Sequence, residues 1–405
     1  MIGTDIIEIS RVARAMERSP RFLAKNFSPD ELAYFQSRRM AANVVAGNFA
    51  AKEAFAKAAG TGIRGFSLID VEILRDGLGK PYVRFRGEVS PVSVSISHSR
   101  EYAVATVAGD TAIYDLSGLP LARMWNLLPK REKTANKGDC GRIFIVAGSV
   151  GMTGAACLCA NAALRAGAGL VTVGTPASAQ PVVAAKLTEA MTLPLPEKDG
   201  VLSGEAAEMI LGAAAKSDVC VFGCGLGQSP GILKILRALL CEPGAPVLVD
   251  ADGINALAKN INVLRDRKCE AVLTPHPGEM ARLTGRSIEE IQKKRRAVAA
   301  EFAKKYGVTL LLKGHGTVVA GAGGEIYVNQ TGNPGMATGG MGDVLSGILG
   351  ALMGQGLTPY DAAALGAFLH GLAADIAARD VGELSLIAGD VAEYLPRAII
   401  MLNHA

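Results

Sequence analysis

Two different patterns of apolar and polar positions divide the chain. IGTDIIEI, from Ile2 to Ile9, alternates as a short strand, and Ser10 is placed to cap the helix expected after it. SPDE at Ser28 to Glu31 is a capping box with Pro29 at the first helical position. Helical spacing then runs from about Arg39 to Ala59 and stops at Gly60-Thr61-Gly62. LIDVEIL, KPYVRFR, VSVSIS and YAVATVA follow as strands, with RDGLGK as a turn. Helices first and antiparallel strands afterwards predict an α+β domain over residues 1–108.

From Gly141 the pattern changes. RIFIVAG, LVTVGTP, VCVFGCG, PVLVDAD, EAVLTPH and VTLLLKG are short apolar runs, each ending in Gly, Pro, Asp or His, with helical segments between them. This alternation predicts a doubly wound α/β sheet over residues 139–405, whose strand ends are where such sheets bind ligands. Residues 109–138, with Pro120, Pro129 and the charged PKREKTANKGD, read as a connector.

Composition narrows the class. The 405 residues are 49% hydrophobic and 5% aromatic, with 48 glycines, enough apolar material for sizeable cores. A formal charge of +4 without a long basic stripe argues against nucleic acid, and Lys293 to Arg296 reads as a solvated helix face. The seven cysteines show no disulfide or zinc spacing and are expected to be buried thiols in a reducing compartment. Asp5 and Glu8 stand where a signal peptide would be basic and then apolar, and the apolar stretch Gly154 to Val173 is broken by Asn161 and Arg165. A soluble, cytoplasmic protein is expected.

The stretch GNPGMATGGMGDVLSGILGAL, Gly332 to Leu352, carries the first candidate chemistry. A glycine-rich loop opening a helix from Val344 offers free backbone N–H groups and the positive helix end to an anion. Asp343 at that helix start could act as a base for a bound hydroxyl or merely cap the helix. LLKGHGT supplies Lys313, LTPHPGE supplies His276 and Glu279, VFGCGLG supplies Gly223, Gly225 and Gly227, and VDADGINAL supplies Asp250, Asp252 and Asn255. Five such strand ends favour one shared crevice.

Together with NKGDCGRIFIVAGS and GMTGAA, these motifs resemble the ADP-dependent NAD(P)H-hydrate dehydratase family of the ribokinase-like superfamily, in order from about residue 126 to 398. The resemblance implies phosphorylation of the hydrated nicotinamide by ADP and then loss of phosphate. It casts Asp343 as the base, Gly342 with Lys313, Gly314, His315, Gly316 and Thr317 as the ADP/AMP site, and Ala155, Gly227 and His276 as the hydrate pocket. Asn136 departs from the family, which usually has His before KGD. An ordinary alcohol kinase of the same superfamily is the alternative.

In the first half, Asp5 ends a strand, while Glu53 and Lys57 lie four residues apart on one helix face. Two acids on different elements suit magnesium, which takes one or two carboxylates together with substrate phosphates. GTDIIEISRV, FAAKEAFAKAAGTG, GKPY and VSISHSREYAVA resemble the holo-acyl-carrier-protein synthase family of phosphopantetheinyl transferases over nearly all of residues 1–108. The resemblance implies a phosphopantetheinyl transferase fold, Mg2+ on Asp5 and Glu53, Lys57 as a catalytic cation, and Arg11 and His98 contacting coenzyme A or the partner. It further implies acyl-carrier protein as substrate and a homo-oligomer. Asn48 stands where the family usually has Arg, so a phosphate contact is expected to be missing. A non-catalytic binding or oligomerisation module is the alternative for this half.

Overall fold

A computed structural model of the chain describes residues 2–59, 66–109 and 121–403. The predicted Gly60 to Gly62 helix stop and part of the connector, including Pro120, lie outside these residues. Two compact units emerge, one within residues 1–122 and the other spanning 123–401.

The first unit is an antiparallel sheet of five strands, β1 (Ile2–Glu8), β2 (Val71–Arg75), β3 (Pro81–Phe85), β4 (Glu88–His98) and β5 (Tyr102–Ala108), in the order β1-β5-β4-β3-β2. The helix Ala42–Ala58 covers one face, burying Ala50, Ala51, Ala54, Phe55 and Ala58 against Val71, Ile73, Val83, Val94 and Val107. Small residues let this helix sit close to β1. A Cβ on Gly3 would lie 2.1 Å from the Ala54 carbonyl oxygen, so only glycine fits there.

Local predictions meet two corrections. The helix after β1 begins at Ile9 with Glu8 at its N-cap and no side-chain cap, because the strand runs straight into it; Ser10 therefore lies inside the first turn. The run from Arg39 is interrupted, since Arg39 and Met40 take positive φ of 56° and 53°, and the long helix starts only at Ala42. The capping box forms as read, with Ser28 and Glu31 serving each other's backbone N–H.

Glu31 does more than cap. Its fully buried carboxylate accepts from Lys52 Nζ at 2.6 Å, Ser28 N at 3.0 Å, Ile73 N at 3.1 Å and Asn48 Nδ2 at 3.4 Å. Lys52 gives its other protons to the carbonyls of Asn26 at 2.7 Å and Leu68 at 2.9 Å. The pair ties three helices' ends to β2, and every partner is satisfied. Burial alone would push Glu31 up and Lys52 down in pKa, and both shifts run that way.

The second unit is a sheet of nine strands in the order β16-β15-β14-β13-β12-β11-β6-β7-β8. These are β6 (Arg142–Val146), β7 (Leu170–Pro176), β8 (Met191–Leu195), β11 (Val219–Phe222), β12 (Val247–Val249), β13 (Ala271–Leu273), β14 (Thr309–Leu312), β15 (Val318–Ala320) and β16 (Ile326–Val328), with β9 (Glu197–Lys198) and β10 (Val201–Leu202) forming a separate hairpin. Strands β6, β7, β8, β11, β12, β13 and β14 run parallel, and β15 and β16 close the edge antiparallel. The order reverses between β6 and β11, which opens a crevice at their C-terminal ends. The helix Pro359–Val381 is long and apolar enough to cross a membrane, yet 83% of its apolar window is buried inside this unit, so its apolarity serves the core.

Lys52→Met should strand a buried carboxylate and cost about 3–5 kcal/mol in denaturant unfolding of the first unit. Adding Glu31→Gln should recover part of that loss. Ala substitution of Arg286, whose partly exposed guanidinium pairs with Glu301, should leave the unfolding midpoint nearly unchanged.

Candidate functional site

The helix Met341–Gly354 starts three residues earlier than its apolar pattern suggested, with Gly340 at the N-cap in a left-handed conformation, φ 91°. Asp343 thus lies within the first turn, among backbone N–H groups that have no helical acceptor. Segments on either side hold the preceding loop. Asp375 accepts from Gly332 N at 2.8 Å and Asn333 Nδ2 at 2.9 Å, and Thr331 Oγ1 donates to the Phe368 carbonyl at 2.9 Å.

Opposite the loop stand the ends of β11 to β14. The Lys313 ammonium, past the end of β14, meets Asp250 Oδ1 at 2.5 Å and Glu279 Oε2 at 4.0 Å. Burial works against this ammonium, but the two carboxylates outweigh it and hold its pKa above the ordinary lysine range. A Cβ on Gly342 would lie 3.3 Å from Lys313 Nζ and 3.6 Å from Asp250 Oδ2. The bare Gly342 backbone therefore lies close to the Lys313 ammonium, where a side chain would be crowded. Asp343 joins the same cluster: burial first, and the Asp250 charge next, push its carboxyl up to about 6, against the Cys224 thiol and Lys313. Glu279, pushed up by burial against the pull of Lys313, reaches about 7.

His276 caps the helix Pro277–Thr284. Its Nδ1 accepts from Gly278 N at 2.9 Å and Glu279 N at 3.3 Å. The neutral ring then carries its hydrogen on Nε2, and burial, aided by Lys313, keeps its pKa below the usual histidine value. At neutral pH His276 is a fixed N–H donor with no free lone pair for a base. At the sheet's reversal, Ala155 opens the helix Thr153–Arg165 and packs where a Cβ on Gly225 would lie 2.8 Å from its own. Gly227 N donates to Asp252 Oδ2 at 2.9 Å. Gly314, His315 and Gly316 form the turn between β14 and β15, closed by Thr317 Oγ1 on the Gly314 carbonyl at 2.9 Å.

The structure thus gathers Asp343, Gly342 and Lys313 into one cluster with Asp250 and Glu279, and His276 borders it through Glu279, 3.4 Å from its Nε2. Asp250 and Glu279 were visible as polar strand ends without an assigned role. Ser346, buried and donating to Asp250 Oδ2 at 2.7 Å, was missed, although its spacing of one turn from Asp343 was a usable signal. Asn136 lies apart from this cluster and closes its own loop, donating to Asp139 Oδ2 at 2.7 Å.

In the first unit, the close approach at Gly3 sets the helix Ala42–Ala58 beside β1, so that Asp5, Glu53 and Lys57 meet. Lys57 Nζ donates to Asp5 Oδ1 at 2.8 Å and to the Thr4 carbonyl at 3.1 Å. Burial and the Asp5 charge raise the pKa of Glu53. Two neighbouring carboxylates from different elements, with a half-exposed ammonium alongside, form a donor set that fits a divalent cation. Arg11 is exposed on the helix after β1, and His98, exposed at the end of β4, meets Asn43 Nδ2 at 3.3 Å instead of the acidic pair. Asn48 is fully buried, donating to the Ile73 carbonyl at 2.8 Å and accepting from Arg75 Nη2 at 3.0 Å, within the Glu31 network.

Residues 1–107 match the family model of the 4'-phosphopantetheinyl transferase superfamily, and residues 143–397 match that of NAD(P)H-hydrate dehydratase. A bifunctional NAD(P)H-hydrate repair enzyme from Moorella thermoacetica is 50% identical over 278 residues, 68% of this chain and 52% of its own length. An ADP-dependent (S)-NAD(P)H-hydrate dehydratase from Neisseria meningitidis is 38% identical over 67% of this chain and 88% of its own. The chain spans about half the length of the bifunctional relatives it matches. Among solved structures, the ADP/ATP-dependent NAD(P)H-hydrate dehydratase of Bacillus subtilis, co-crystallised with ATP/Mg2+, superposes with a TM-score of 0.61 at 30% identity, covering 70% of this chain and 97% of that one. A ribokinase-like superfamily protein from Enterococcus faecalis superposes at 0.60 with 26% identity, covering 71% and 96%. The nine-stranded unit is therefore ribokinase-like, and the chain belongs to the NAD(P)H-hydrate dehydratase family.

Proposed function

We propose that the chain joins two enzymes, an ADP-dependent NAD(P)H-hydrate dehydratase over residues 139–405 and a magnesium-dependent phosphopantetheinyl transferase over residues 1–108, linked by residues 109–138. The observation that carries the first reading is Asp343 on a glycine-opened helix turn beside Lys313. Hydroxide leaves a carbon poorly and phosphate leaves well. Asp343 takes the proton of the ring hydroxyl as its oxygen attacks the terminal phosphoryl of ADP, and the bond to AMP breaks. The carbon–oxygen bond to phosphate then breaks as the ring nitrogen's lone pair moves in, and loss of a proton from the neighbouring carbon restores NAD(P)H. Backbone N–H groups near Gly342 and the Lys313 ammonium face the charge that develops on the phosphoryl oxygens, where fixed electrostatics contribute most. Lys313 to Thr317 take the AMP portion, and Ala155, Gly227 and the His276 N–H face the hydrate.

The first unit's reading rests on Asp5, Glu53 and Lys57 converging across β1 and its covering helix. A bound Mg2+ would supply charge neutralisation for the pyrophosphate of coenzyme A. Lys57, half exposed, is free to turn from Asp5 toward a phosphate, with Arg11 and His98 flanking. The acceptor is a serine of an apo acyl-carrier protein. A homo-oligomer in the cytoplasm completes the reading.

Two assays on one sample test it. With ADP, recovery of reduced-nicotinamide absorbance from the hydrate is expected; recovery without ADP, or stable phosphorylation of a small alcohol instead, would replace the dehydratase by another activity. Asp343→Asn should abolish dehydration and spare phosphopantetheine transfer, and loss of both in a folded variant would refute separate sites. Because the ionised Asp343 is the active form and its pKa is about 6, kcat/KM should fall about tenfold per pH unit below that value. Mass gain of an apo carrier protein with coenzyme A and magnesium should be lost in Asp5→Asn and Glu53→Gln; no gain with the unaltered chain would remove the transferase reading.

A further inference from the structure

We propose that Asp250 is a positioning residue for phosphoryl transfer, holding the Lys313 ammonium against Gly342 and, through Ser346, anchoring the helix turn that carries Asp343. This rests on the phosphoryl-transfer reading of the site. Asp250 is 1% exposed, and its two oxygens are fully engaged. Oδ1 accepts from Lys313 Nζ at 2.5 Å and Ala251 N at 2.8 Å, and Oδ2 accepts from Ser346 Oγ at 2.7 Å.

A cap for the helix Ala251–Ala258 needs only an oxygen, which Asn would supply equally well. What Asn cannot supply is the charge, and a buried ion pair is seldom retained for stability alone. The backbone also favours this placement over comfort. Ala251 takes φ 45°, a left-handed value that a residue with a Cβ adopts at a cost, and the segment is thereby turned so that the carboxylate faces β14 and the glycine loop. Without Asp250, Lys313 has Glu279, 4.0 Å away, as its alternative partner. A lysine drawn there would still bind a nucleotide but would be misplaced for the transferring group, and misplacement by about 1 Å is enough to cost about 100-fold.

Asp250 also sets the charge environment of the base. The groups facing Asp343 are Asp250 and Asp252 from the end of β12, Lys313 from β14 and the Cys224 thiol from β11. Neutralising Asp250 removes a negative neighbour, so Asp343 ionises more easily and its titration moves to lower pH.

The test uses the full chain with Asp250→Asn, Ser346→Ala and Ser346→Thr. Asp250→Asn is expected to keep the fold by circular dichroism and to bind ADP within about threefold of the parent by calorimetry. Its kcat should fall about 100-fold or more, and the acid limb of its pH profile should move down. Ser346→Ala should lower kcat less, and Ser346→Thr should restore it. Independently of catalysis, 15N-lysine NMR of the unaltered chain should show a protected ammonium signal, assigned by its absence in Lys313→Met and lost in Asp250→Asn. A folded Asp250→Asn with parental kcat and an unmoved acid limb, or an unchanged Lys313 signal, overturns the proposal. If the parent chain has no ADP-dependent activity but the ammonium signal behaves as stated, the underlying reading fails while the Asp250–Lys313 placement stands.

Discussion

One ammonium among four carboxylates governs the second unit's crevice. Asp250 and Asp252 follow β12, Glu279 follows β13 and Asp343 stands in a helix's first turn, and Lys313 meets Asp250 at 2.5 Å and Glu279 at 4.0 Å. Ion pairing to Asp250 keeps that cation charged in spite of burial. Burial first, and the Asp250 charge after it, make Asp343 and Glu279 reluctant to ionise, which brings both toward neutrality near physiological pH. A base with such a pKa is matched to taking a proton from a hydroxyl and giving it up again.

The sheet makes this possible by geometry. Parallel strands all end on one side, so side chains distant in sequence converge there, and the reversal between β6 and β11 leaves room between the diverging connections. Glycine at 342 leaves bare backbone beside Lys313 where a side chain would otherwise stand, while Gly340 makes the left-handed turn that opens the helix. In the first unit the same device recurs on a smaller scale, since the missing side chain of Gly3 lets a helix settle on β1 and bring Glu53 and Lys57 to Asp5.

Much of this was legible in the sequence, for reasons that can be named. The strands β6, β7, β11, β12, β13 and β14 are buried apolar runs ending in turn residues, a strong local signal. Strand β8 carries Pro194 and only partial burial, and β15 and β16 are three residues each, so their pairing depends on neighbours that no local pattern reveals. Asp343, Lys313 and His276 sat inside recognisable motifs. Ser346 was hidden because a serine in an apolar helix looks like a tolerated small residue until the carboxylate it meets, from another strand, is known. Asn48 was legible as a departure from the motif, but its place in the Glu31 network depends on Ile73 and Arg75 from β2, which no local pattern reveals.

That last residue has a consequence for how this fold can diverge. Asn48 meets Arg75 from β2, so a guanidinium reaches the Glu31 pocket from the sheet and not from the helix. Positions 48 and 75, 27 residues apart, share one space and one charge between them. A larger side chain at 48 would have to displace the Arg75 guanidinium before it could fill that space, so the size tolerated at one position depends on the residue held at the other.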